Sequence, residues 1–220
     1  MQTSSNTWRH FPRPEDEPHV EVDGPDPIRI LMMGGGPSVG YAVLTHQLGL
    51  GGHLARQISA LTGRGCQLDI VTSPDMMIHN APDLLHKQRL DDYDLLVTTF
   101  GGNEALALMS TRTWRNQTSA MLAAIHNSDA RPNFHVFMIG ISPISTIVNL
   151  PSTMASVVDD RVTRFNSTTA RLASIRTNRS FIPLTAASIR MSDVSGASAY
   201  TEWARQIVPA MSPVLLNSGE

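Results

Sequence analysis

The sequence predicts an α/β protein, a three-layer α/β/α sandwich around a five-stranded parallel sheet. Two observations predict it. Short apolar runs recur along the chain with almost no polar alternation, as expected for strands buried on both faces. Between them lie longer stretches whose apolar residues keep a helical period, so strand and helix alternate and right-handed crossovers follow.

The runs are Ile28–Met33, Gln67–Thr72, Asp94–Phe100, Phe134–Gly140 and a weaker fifth, Ser180–Thr185. Helical spacing is expected from Tyr41 to Leu61 through Val43, Leu44, Leu48, Leu54 and Ile58. It is expected again over 114–125, 154–175 and 201–211, the last with Trp203, Ile207 and Val208 on one side. Residues 1–27 differ in kind. They hold five prolines and six acids and little apolar surface, which marks an acidic, flexible arm ahead of a domain over 28–220.

Bulk properties exclude several function classes. The net charge of −2 gives no general attraction to nucleic acid or anionic membrane. Aromatic residues are 5% of the chain, too few for a base-stacking platform. No apolar run is long enough to cross a bilayer, and the first residues lack the apolar core of a signal peptide, so the expected location is cytoplasmic. Cys66 is the one cysteine, which leaves no disulfide framework and no cysteine metal cluster. His46 and His53 stand seven apart rather than four, so no metal is expected, and no cofactor motif is present. The methionines Met32, Met33, Met76 and Met77 read as core or cleft lining.

In open parallel sheets, ligands bind outside the carboxyl ends of the strands. Two strand ends stand out. The first run ends in Gly34-Gly35-Gly36-Pro37-Ser38-Val39-Gly40, and the third in Phe100-Gly101-Gly102-Asn103-Glu104. The first is neither a P-loop nor a dinucleotide fingerprint. Gly36-Pro37-Ser38-Val39-Gly40 does match the G-x-S-x-G elbow of serine hydrolases. A serine nucleophile needs a base, however, and the last histidine in the chain is His135.

These blocks, in this order, resemble the SGNH, or GDSL-type, hydrolases, and among them the compact actinobacterial esterase-like members. The resemblance covers about residues 28–211. It includes Gly52-His53-Leu54-Ala55-Arg56, Trp114-Arg115 and Tyr200-Thr-Glu-Trp203-Ala204. It implies an esterase or lipase ancestry, and it also implies losses. The family's nucleophilic serine falls on Gly36, and the aspartate before it on Gly35. The block that supplies an oxyanion-hole glycine reads Thr72-Ser73-Pro74-Asp75-Met76. In the family's Asp-x-x-His, Asp193 stands for the aspartate and Gly196 stands where the histidine belongs. Asn103 alone matches the catalytic set, and its family role is to donate to an oxyanion.

The first expectation is therefore a pseudoenzyme. Its strand-end cleft would be lined by Gly35, Gly36, Ser38, Gly102, Asn103 and Asp75 and kept for a small polar or acyl ligand. The alternative is a rewired enzyme in which Ser38 attacks, with Asn103 in the oxyanion hole. Its base would come from His46, His53, His79, Glu104 or Asp75. A third expectation is an interaction protein. It would use the acidic arm, or the helical face of Arg161, Arg164 and Arg171, to meet a second copy or a protein partner.

Overall fold

A computed structural model describes residues 11–147, 150–185 and 196–217. Its strands are β1 (His19–Val22), β2 (Ile28–Gly34), β3 (Cys66–Thr72), β4 (Leu95–Thr99), β5 (His135–Ile139) and β6 (Arg179–Ile182). Its helices are α1 (Leu50–Thr62), α2 (Ala81–Leu85), α3 (Gly102–Leu106), α4 (Thr111–His126), α5 (Ser152–Ala173) and α6 (Gly196–Asn217).

The sheet order is β1-β3-β2-β4-β5-β6, with β2 to β6 parallel and β1 antiparallel at the edge beside β3. The sheet divides the core in two because strand side chains alternate between faces. Ile30 and Met32 of β2 join α1 and α6 on one side. Leu31 and Met33 join α2, α4 and α5 on the other. Both layers exclude water from β2 beyond the exposed Arg29, which explains the apolar run Ile30–Met33. On the second face Trp114 stacks on Phe165 at 4.7 Å and donates its indole N–H to Thr169 at 3.1 Å, joining α4 to α5.

The sheet has six strands where five were expected. The sixth is β1, inside the stretch read as an arm. Only Val20 there is fully buried, so four residues carry no readable alternation. Its place is fixed from outside, by pairing with β3 and by the His19–Asp69 hydrogen bond at 2.6 Å.

The expected helix over 41–61 begins later. A loop and a short 3-10 turn, His46–Leu48, precede α1, and Ala42 sits at φ 64°. His46 is thus not on the helix, whereas His53 is. The closing helix is longer than its apolar pattern, continuing through Pro209 and Pro213. Proline at 213 cannot donate to the Pro209 carbonyl one turn back, and the Ser212 hydroxyl donates to it instead, at 2.8 Å.

Two of the three arginines expected to form a basic face have internal partners. Arg161 donates to the Leu108 and Met109 carbonyls that follow α3, and Arg164 pairs with Asp160 at 2.9 Å. Among the described residues, no helix is long and apolar enough to cross a membrane.

Candidate ligand pocket at the strand ends

The parallel register places the ends of β2 and β4 side by side, with Gly34 opposite Thr99. Both chains leave the sheet through glycine turns. After β2 the backbone passes Gly35 and enters a 3-10 turn, Gly36–Val39, with Gly36 at φ 56°. After β4 it passes Gly101 and enters α3.

Glu104 holds the second turn. It is 1% exposed, and its two carboxylate oxygens accept from the backbone N–H of Gly101 at 2.8 Å and Ile78 at 2.6 Å. Burial pushes its carboxyl above the usual range, against the pull of those bonds. It therefore ties the β4 loop to the loop after β3, and it is absent from the pocket wall. It is not available as a base for Ser38.

Asn103 makes a second tie. Its amide nitrogen donates to the carbonyls of Pro74 and Met76, each at 2.9 Å. Two carbonyl acceptors fix the amide's orientation and use both of its hydrogens. Asn103 lines the pocket, but its donors are already committed to the Pro74–Met76 segment. Gly35 backs onto this tie. A Cβ at Gly35 would lie 3.2 Å from both Asn103 Nδ2 and the Met76 carbonyl oxygen. The clamp thus occupies space that a larger residue at 35 would need.

The other expected residues separate into two groups. Gly36 and Gly102 lie on the pocket wall. A Cβ at Gly36 would meet nothing within 4 Å, so the turn's apex opens onto empty space. Ser38 does not line the pocket, which corrects the expectation. It is 2% exposed, and its hydroxyl bonds Thr99 Oγ1 at 2.5 Å. The 3-10 turn that presents Gly36 outward rotates the residue two places on toward the sheet. Asp75 is exposed and outside the wall as well, because the loop after β3 turns its third residue to solvent.

None of the proposed bases approaches Ser38. His79 is exposed, and His46 opens the 3-10 turn before α1. His53 lies beside Thr201 of α6, on the far layer. Among the described residues, no histidine lines the pocket. Asp193 falls outside the described residues, and Gly196 opens α6. Among the described residues, no group of three or more His, Cys, Asp or Glu side chains could hold a metal.

The pocket spans about 890 Å³ of empty space including its open mouth. Its walls are mainly apolar, from Phe100, Leu106, Ile141, Ile144, Leu184 and Trp203, with Thr99, Asn103 and Ser142 as the polar minority. The indole N–H of Trp203 is buried and has no hydrogen-bond partner among the described residues. Tyr200 donates its phenol to the Tyr41 carbonyl at 3.0 Å and stands edge-on to Trp203, which ties α6 to the loop after β2. Sequence reasoning placed Trp203 in the closing helix and Tyr200 just ahead of it, without assigning either to the cleft. Phe11, a further wall, carried no sequence signal.

No protein-family model matches the sequence, and no curated protein matches it. Solved structures do. A lipase, Lip_vut3, from a goat rumen metagenome superposes with a TM-score of 0.66 at 14% identity, covering 83% of this chain and 97% of its own. A family 3 carbohydrate esterase from Clostridium thermocellum gives 0.61 at 13% identity, covering 89% and 100%. A structure named TesA gives 0.61 at 15% identity, covering 84% and 99%. The order of strands, the two glycine turns at the sheet's carboxyl edge and these superpositions agree. The chain has the fold of the SGNH, or GDSL-type, hydrolases.

Proposed function

We propose that this chain does not hydrolyse esters and uses the strand-end pocket to bind an apolar, acyl-type ligand. The observation that carries the reading is Gly36. It stands at the apex of the turn, with open space where a side chain would project, and glycine has no group to attack a carbonyl. Two others support it. No histidine follows residue 135 in the sequence, and the Asn103 amide hydrogens are spent on Pro74 and Met76. Losing nucleophile, base and oxyanion donor together leaves little of a catalytic set that works as a unit.

The walls support an apolar ligand, since a mainly hydrophobic lining with a few polar groups is typical of small-molecule sites.

The test is a pair of measurements on the purified protein. Release of p-nitrophenol from p-nitrophenyl butyrate should not exceed the buffer rate, and isothermal titration with sodium laurate should show saturable binding. Turnover that disappears in Ser38→Ala would establish a rewired enzyme instead.

A further inference from the structure

We infer that the segment Phe11–Glu17 is a strap forming a movable wall of the pocket, with Phe11 the side chain that touches the bound ligand. This rests on the reading that the pocket binds an apolar molecule.

Three separate contacts hold the strap, all on the stretch between the Gly36 turn and α1. The Pro12 carbonyl accepts from the Ala42 N–H at 2.9 Å. The Pro14 ring fills the space beside Gly40, its Cγ 2.7 Å from where a Cβ would stand. Gly40 is at φ 74°, so both backbone and ring demand glycine there. The Asp16 carboxylate accepts from the His46 N–H at 3.0 and 3.1 Å.

These contacts deliver Phe11 to the pocket. It packs with Tyr41, Ala42 and Ile147 in a small apolar cluster separate from the two main cores, and Phe11, Tyr41 and Ile147 all line the pocket. The strap is also built to open. Residues 11–17 form no helix or strand, and apart from Phe11 and Pro14 they are exposed. Few buried apolar contacts and a solvated backbone are the marks of a segment that opens locally before the fold does. Its base, in contrast, is fixed. The Pro18 carbonyl accepts from Ile70 at 2.8 Å, and β1 follows directly. Opening therefore pivots near Glu17, and closing lays an aromatic face on whatever occupies the pocket.

The expected ligand is a flexible acyl chain that a closing ring can cover, and sodium laurate is the probe. In full-length protein, Phe11→Ala should weaken laurate binding by about fivefold, the effect of losing part of one phenyl contact. Asp16→Ala removes an exposed carboxylate and its bonds to the His46 N–H. It should raise the laurate dissociation rate in stopped flow and speed hydrogen exchange at the Ala42 amide. It also carries the test if Phe11→Ala does not fold. Saturating laurate should slow Ala42 exchange in the unmodified chain. If laurate binds but both variants match the unmodified chain in affinity, rate and exchange, the strap is overturned and the binding reading stands. If the unmodified chain does not bind laurate, both readings fall.

Discussion

Ser38 donates its hydroxyl proton to Thr99. The two oxygens are 2.5 Å apart, and Thr99 has committed its own proton to the Gly35 carbonyl at 2.9 Å. With that proton spent, Thr99 Oγ1 can only accept from Ser38. The hydroxyl that sequence pattern marks as a nucleophile is therefore a structural donor, buried between the turn and β4.

Ser38→Ala should then cost stability and nothing else. Removing one buried neutral hydrogen bond is worth about 0.5–1.5 kcal/mol. Urea unfolding should show a loss in that range, while laurate titration stays unchanged because Ser38 is not on the pocket wall.

Gly36→Ser places a hydroxyl at the pocket mouth without a clash, since nothing lies within 4 Å of its Cβ. The residue must still adopt φ 56°, at about 1–2 kcal/mol. The variant should fold with a lowered Tm. It should neither hydrolyse p-nitrophenyl butyrate nor take up phenylmethylsulfonyl fluoride by intact mass, because no imidazole among the described residues lines the pocket to receive its proton. A stoichiometric adduct would reveal a base from a direction these contacts do not show.

At Asn103 the order of two substitutions is diagnostic. Alanine leaves the Pro74 and Met76 carbonyls without their donor, for a loss of about 1–3 kcal/mol. Aspartate should be worse at pH 7, because its charged oxygens would face those same carbonyls. Thermal unfolding should also show the aspartate deficit shrinking as pH falls through the carboxylate range, where a protonated acid can donate again. Equal losses, or a milder aspartate, would mean that the amide does not clamp this loop.

Stability should fall as the solution is acidified. Burial pulls His46, His53 and His135 below the ordinary histidine value, with Arg56 adding to the effect at His53. Each is held neutral in the fold and binds its proton more readily when unfolded. Their contribution is complete above about pH 6.5 and is lost as pH drops through the lowered folded values. His135 is a suitable probe, bonded to Ser180 at 3.0 Å and tilted on Phe137. Urea midpoints at pH 7.5 and 5.5 should differ less in His135→Gln than in the unmodified chain, whatever the substitution costs at pH 7.5.

The layered α/β architecture was legible in the sequence because it follows from local patterns. Apolar runs such as Ile28–Met33 record burial on both faces, and the glycines at 34–36 and 101–102 record where the chain must turn. The glycine at 36 and the lack of histidine beyond 135 are properties of the string itself. Tertiary structure decided the rest, because each remaining feature joins residues far apart in the chain. Ser38 is buried because Thr99, 61 residues on, meets its hydroxyl. Asn103 is a clamp because the loop after β3 supplies two carbonyls. The acidic stretch gains an edge strand because β3 offers an unpaired side, and it brings Phe11 to the pocket because Ala42 and His46 hold it there. A hydrogen bond between distant segments leaves no period in the sequence. It exists only once the sheet has set the two ends side by side.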